Sequence, residues 1–402
     1  MLPDWMQVDG VQSDANVSRL INRNQGCCCL LRSHMQNDDK LKNIKESLLA
    51  VMREPRRWLL LVGTGPSVEM DTELGMRALK SHLLASIPKG TDDWTPIAEK
   101  LRRDVDLETA LTGIHLTKSL QNEIAKHTSA FVAEKDTALR DDVLTGKKTW
   151  AGEPLLKQLM RGLSPTWPRL PVVTSNYDML IEYACSKANI PYITGYHGGI
   201  VRRQNWPKAR ERLCRLNPVT MGGKRRDTIT PISCVELMKV HGSINMFKNK
   251  DDELFENDMW VNKHPSNYSP IIAPPGDAKN QELVNFHGRL FGEASQAIDK
   301  TTAFFVIGYG FRDNHIHRKI LERVCNHQCP LVVLTLDPSE ELDKLVTKGK
   351  DVWVITGIKN QANGETDRSG TRFANSREEL SGEFDGITLW QSDVFTKQIL
   401  GG

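Results

Sequence analysis

The residues best suited to chemistry fall into four short groups. Pro171 to Asp178 reads Pro-Val-Val-Thr-Ser-Asn-Tyr-Asp, a β-branched apolar run that breaks into small and polar residues. A helix-like segment, Met179 to Ala188, follows at once. A buried parallel strand of an α/β sheet ends in this way, its last polar side chains in the crevice where ligands bind. Asn176 and Asp178 at such an edge could hydrogen-bond ribose hydroxyls or order a water, and Asp178 could equally cap the helix. The second group, Gly63-Thr64-Gly65-Pro66-Ser67, follows the apolar run Trp58 to Val62. A glycine-rich strand-to-helix turn offers backbone N–H groups to a pyrophosphate, and Pro66 suits a first helical turn. The motif is not a full G-x-G-x-x-G, so an ordinary tight turn remains open. The third group is His241-Gly242-Ser243, after the strand-like Leu237 to Val240. Here His241 is either structural or a general base working near neutral pH. The fourth is Gly308-Tyr309-Gly310.

Parallel strands present their C-terminal ends on one edge, so these groups converge only if one sheet carries all of them. The apolar pattern predicts strands at 171–175, 190–194, 235–240, 303–307, 331–336 and 352–355. It predicts helices at 38–53, 179–188, 281–299, 314–325 and 339–346. This alternation implies an α/β fold with a Rossmann-like, mostly parallel, doubly wound sheet. Between Thr91 and Gly162 the pattern is helical throughout, and the stripes Leu101, Val105, Leu107, Leu111, Ile114 and Leu120, Ile124, Phe131 read as core. The expected division is an N-terminal arm and helix over 1–55 and a nucleotide-binding domain over 56–90 and 165–345. A helical insertion at 91–164 and a C-terminal strand and tail over 346–402 complete it. Residues 357–376, rich in Asn, Gly, Ser and Thr, read as a loop, with a last strand and short helix at 386–400. Pro270 to Gly276 reads as a stiff loop able to close over a ligand.

Composition narrows the classes of function. Of 402 residues, 39% are hydrophobic and 26% charged, an ordinary globular balance. A net charge of +3 does not demand a nucleic-acid or membrane partner. No apolar run nears the roughly 20 residues that span a bilayer, and Met-Leu-Pro-Asp-Trp lacks the features of a secretory signal, so a cytoplasmic address is expected. The eight cysteines suggest reduced thiols; Cys27, Cys28 and Cys29 are consecutive, and no paired C-x-x-C occurs. A basic insertion, Arg202 to Arg226, reads as a solvated and partly helical face, with nucleic-acid or protein docking as the alternative.

Taken together, Gly63-Thr-Gly-Pro-Ser67, Thr174-Ser-Asn-Tyr-Asp178, Lys239-Val-His-Gly-Ser-Ile244 and Ile307-Gly-Tyr-Gly-Phe-Arg-Asp-Asn-His-Ile316 resemble the sirtuin family in order and context. The last segment is similar to the bacterial sirtuin-like branch of antiphage defence effectors. The resemblance implies NAD⁺ bound at the sheet edge. Gly63, Thr64, Gly65 and Ser67 would line the phosphates. Asn176 would position the attacking group, with Asp178 supporting the pocket, and His241 would act on the ribose hydroxyls as a base. Gly308 and Tyr309 would pass the adenosine side, and Asp337 would bind the adenosine ribose unless it caps the next helix.

Two departures separate the chain from sirtuin deacylases. The paired cysteines of their zinc module are missing, and no Asp-Phe-Arg segment follows Gly65. The resemblance therefore implies a sirtuin fold without its zinc ribbon and no metal. It implies a glycohydrolase that splits NAD⁺ into nicotinamide and ADP-ribose, ahead of an NAD-dependent deacylase or a non-enzymatic NAD or ADP-ribose sensor. By the same resemblance the chain would form homo-oligomers and assemble with a HerA-type DNA-translocating ATPase.

Overall fold

The computed structural model describes residues 37–88, 93–221, 224–273, 281–311, 314–337, 339–359 and 366–401. The N-terminal arm with Cys27 to Cys29, and Arg312 and Asp313 of the last motif, lie outside them. Helix α1 (37–53) buries Leu41, Ile44 and Leu48, the three-and-four spacing its sequence shows, and leads into β1 (Trp58–Val62). Six helices then precede the second strand: α2 (Gly65–Met70), α3 (Met76–Ser86), α4 (Thr95–Arg102), α5 (Leu107–Leu111), α6 (Lys118–Leu144) and α7 (Glu153–Arg161). Their stripes pack into one core with the sheet, as Leu101, Leu107, Leu111, Leu120 and Ile124 are all buried.

The sheet resumes with β2 (Arg169–Thr174), followed by α8 (Leu180–Lys187) and the two-residue β3 (Tyr192–Ile193). Next come β4 (Tyr196–Gly198), β5 (Arg202–Gln204), α9 (Trp206–Glu211), β6 (Cys214–Met221) and β7 (Lys224–Pro231). The chain then runs through β8 (Cys234–Lys239), β9 (Gly242–Asn249), β10 (Leu254–Glu256), β11 (Tyr268–Ile272) and α10 (Gln281–Lys300). It continues with β12 (Ala303–Ile307), α11 (Asn314–Asn326), β13 (Leu331–Leu334), α12 (Glu340–Lys348) and β14 (Val352–Lys359). The last elements are β15 (Thr366–Asn375), β16 (Gly382–Asp385) and α13 (Ser392–Phe395), with a π-helical turn over Thr396–Leu400.

The order β16-β15-β14-β13-β12-β1-β2-β8-β3 forms one nine-stranded sheet, parallel from β14 through β3. The fold is thus mixed α/β around a large, mostly parallel sheet. Its central strands are buried on both faces, which is why they read as unbroken Leu, Val, Ile and Phe. The order turns around β1, flanked by β12 on one side and β2 on the other, where α/β sheets open a crevice.

Four expectations are corrected. The described residues of 357–376 are mostly strand and not loop: β14 extends to Lys359 and β15 begins at Thr366, pairing antiparallel with it, and 360–365 lie outside the described residues. The last strand lies at Gly382–Asp385, before the 386–400 span, and also pairs antiparallel. The basic insertion is helical only in the short α9; it opens with β5, paired with β4 and β10, and from Cys214 its described residues form a two-stranded ribbon of β6 and β7. Pro270 to Ile272 belongs to β11, so the expected Pro270–Gly276 loop begins inside a strand, and its last three residues lie outside those described. Among the described residues no helix is long and apolar enough to cross a membrane.

Candidate active site

The C-terminal ends of β1, β2, β8, β12 and β13 meet at a cleft of about 840 Å³. Its walls include Gly63, Thr64, Gly65, Asn176, Asp178, His241, Gly308, Tyr309 and Asp337, so the four motif groups share one cavity. Ser67 is the exception among the expected site residues. It is fully buried behind the wall, where its Oγ donates to Asp178 Oδ2 at 2.9 Å and accepts from Asn176 Nδ2 at 3.2 Å.

The glycines act differently from expectation. Gly63 N–H donates to the Ile307 carbonyl at 2.9 Å and Gly65 N–H to the Gly308 carbonyl at 3.1 Å, so neither amide is left for a phosphate. What they provide is closeness. A Cβ on Gly63 would lie 2.3 Å from Gly308 O, and one on Gly308, whose φ is +57°, would lie 2.5 Å from Gly65 Cα. Only paired glycines let the β1 and β12 turns touch and leave the cleft open above them.

Asn176 is the most constrained residue of the site. Its backbone N–H donates to Thr174 Oγ1 at 3.0 Å, and Thr174 Oγ1 donates to Val62 O at 2.9 Å, tying the β2 turn to β1. Its Nδ2 donates to Gly63 O at 2.9 Å as well as to Ser67. Because a carbonyl can only accept, this bond fixes which end of the amide is nitrogen. The opposite atom, Oδ1, is buried and has no hydrogen-bond partner among the described residues. An unsatisfied buried acceptor in a ligand-sized cleft is poised for a donor the protein does not supply. Asp178 spends Oδ2 on Ser67 and Oδ1 on the N–H of Leu180 at 3.2 Å, so it braces the site and also holds the start of α8. His241, half-buried, lies on the cleft wall two residues past Lys239, the last residue of β8, and its carbonyl accepts from Ala273 N–H at 2.8 Å. Asp337 is exposed on the rim; the cap of α12 is Ser339, which accepts from Leu342 N–H, so the capping alternative for Asp337 falls.

Three supports escaped the sequence reading. Lys239, whose side chain is wholly buried, donates to Asp178 O and to Ser243 Oγ at 2.8 Å and pairs with Glu182 at 2.7 Å. The signal was a single lysine inside an apolar strand. Asp136 of α6 accepts from Met179 N–H at 2.7 Å and Tyr183 O–H at 2.6 Å, clamping the loop after Asp178. The third is Glu69, which lines the cleft together with Trp390 and Ser392 from the far end of the chain. Burial, reinforced by the charge of Asp393, pushes the Glu69 carboxyl up to about 7.

Burial likewise drives the Asp136 carboxyl up to about 7, against its two donors. The native chain therefore keeps a proton that the unfolded chain releases. The stability this contributes is full below pH ~4 and is lost as pH rises through about 7. Asp136→Asn, uncharged at every pH, is expected to flatten the fall in urea midpoint between pH 5 and 8; an unchanged slope would remove Asp136 from that role.

No protein-family model and no curated protein matches this chain. Among solved structures the chain is similar to a Sir2 enzyme, with 14% identity over 75% of this chain and 89% of the other and a TM-score of 0.35. It is also similar to a Sir2 homologue in complex with NAD, at 11% identity, 77% and 87% coverage and a TM-score of 0.36. A mutant Sir2 homologue in complex with ADP-ribose gives 12%, 76%, 89% and 0.37. Likeness this shallow leaves the chemistry to be read from this chain's own residues.

Proposed function

We propose that the chain is an NAD⁺ glycohydrolase that cleaves the nicotinamide–ribose bond and releases nicotinamide and ADP-ribose. The observation that carries this reading is the unpartnered Oδ1 of Asn176, locked in orientation, in a cleft whose wall also carries His241. The order of the four motifs supports NAD⁺ as the substrate. The cleft volume of about 840 Å³ is in the range of cofactor sites.

In this mechanism Asn176 Oδ1 accepts a hydrogen bond from the attacking water and holds it beneath the ribose carbon as the bond to the cationic nicotinamide breaks. His241 takes the proton, either from the water or from a ribose hydroxyl that stabilises the developing positive charge. Asp178 and Ser67 keep the Asn176 amide aligned and do not touch the reacting atoms. Asp337, exposed at the far rim, would bind the adenosine ribose, with Gly308 and Tyr309 along the adenosine side.

As part of the same proposal, the chain is an antiphage effector regulated by a partner HerA-type ATPase, a reading that rests on the motif resemblance. The test is chromatography of NAD⁺ incubated with purified protein, alone and with such an ATPase. Equal amounts of nicotinamide and ADP-ribose are expected. Acyl-ADP-ribose formed only with an acyl-lysine peptide would replace hydrolysis by deacylation, and binding without NAD⁺ loss would leave a sensor.

A further inference from the structure

A second cavity, of about 860 Å³, opens at the opposite edge of the sheet, where β1 and β2 begin. Its lining is strongly basic. Arg53, Arg56, Arg57, Arg161, Arg169 and Lys300 face two carboxylates, Glu54 and Glu236. Those carboxylates are already engaged: Glu54 pairs with Arg56, and Glu236 is shared between Arg169 at 3.1 Å and Arg210 at 2.9 Å. The Nε atoms of Arg56, Arg57 and Arg169 are buried and have no hydrogen-bond partner among the described residues. Among the residues lining the cavity positive charge therefore exceeds negative charge, in a space of ligand size.

Aromatic surface accompanies the charge. The Arg57 guanidinium stacks 3.4 Å above the ring centroid of Trp167, and Trp167 remains 41% exposed. An indole with one face taken by a guanidinium and much of its surface open is a platform for a planar base. Arginines beside such a platform suit phosphate attached to that base. An acidic peptide would answer the charge but not the ring.

We propose that this cavity binds a phosphorylated nucleoside, its base on Trp167 and its phosphate on Arg56, Arg57 and Arg169. The ligand is either a free nucleotide or the 5′-phosphate end of a nucleic-acid strand. The site is separate from the NAD⁺ cleft and does not depend on the reading of that cleft.

Calorimetry of the full chain with ADP, with pyrophosphate and with a 5′-phosphorylated oligonucleotide tests it. ADP or the oligonucleotide should bind, more weakly as salt rises, and whichever binds more tightly identifies the source. Arg57→Gln should weaken ADP and pyrophosphate alike by about tenfold, and Trp167→Ala should weaken ADP by about tenfold while sparing pyrophosphate. The exposed pair Arg161→Glu/Lys300→Glu should weaken all probes and reduce the salt slope, with an unchanged melting temperature confirming the fold. The proposal falls if no probe binds at millimolar concentration. It falls equally if ADP affinity is unchanged in Arg57→Gln and Trp167→Ala, since the nucleotide then sits elsewhere. Nicotinamide release from NAD⁺ is read separately and bears only on the cleft.

Discussion

Asn176→Ala is expected to lower nicotinamide release from NAD⁺ by about a hundredfold or more while the chain stays folded. The substitution removes Oδ1, the acceptor that no described protein group uses, and with it the group that orients the water in the proposed hydrolysis. It also strips the Gly63 carbonyl and the Ser67 hydroxyl of one donor each. Losses of that kind cost about 1–3 kcal/mol, a small part of the stability of a chain this size. His241→Ala should reduce turnover by a comparable factor with a smaller effect on stability, because the residue is only half-buried. Ser67→Ala gives the internal contrast. It leaves Asn176 its bond to Gly63 and should fall between wild type and Asn176→Ala, by loosening the amide without deleting it. Initial rates paired with circular-dichroism melts check all three. Retained turnover in both Asn176→Ala and His241→Ala would remove the hydrolytic assignment.

The motif residues were legible because each polar group stands at the abrupt end of a doubly buried strand, a contrast that survives in sequence. Gly63, Asn176, His241 and Gly308 lie far apart in the chain, yet the parallel register of β12, β1, β2 and β8 brings their strand ends together. The far edge of the sheet was not legible for the opposite reason. Thr366 to Asn375 carries Asp, Arg, Ser, Gly and Thr, composition that reads as loop, because antiparallel strands near an edge can leave one face to solvent. The β6–β7 ribbon hid among its basic residues for a similar reason: Leu216 and Ile229 are both exposed, and none of the ribbon residues whose burial is described is buried, so no alternation is imposed there. The Gly63 and Gly65 amides show a different limit. A glycine-rich turn advertises free N–H groups, but here they are consumed by the carbonyls of Ile307, the last residue of β12, and Gly308 just after it, a closeness that the local sequence does not encode.

Lys239→Met is expected to be among the most destabilising single changes in the chain, at about 3–5 kcal/mol. The lysine side chain is completely buried and Glu182, its partner at 2.7 Å, is 2% exposed. Removing the ammonium leaves that carboxylate uncompensated in the interior and takes a donor from the Asp178 carbonyl and the Ser243 hydroxyl. Burial already pushes the Glu182 carboxyl up, and Lys239 is the main group pulling it back down. Without the lysine the carboxyl gains stability by taking a proton, so its folded pKa rises further above the unfolded one. The sign follows: the variant's deficit should be smaller at pH 5 and grow as pH rises toward 8. Adding Glu182→Leu removes the stranded charge and should recover much of the urea midpoint, a coupling that a double-mutant cycle measures directly. Activity should not return with stability, because neither apolar residue can hold the Asp178 carbonyl or the turn that carries Asn176. A single variant as stable as wild type at pH 8 would show that the pair is dispensable to the fold. A double variant with full turnover would show that the lysine does not position the site.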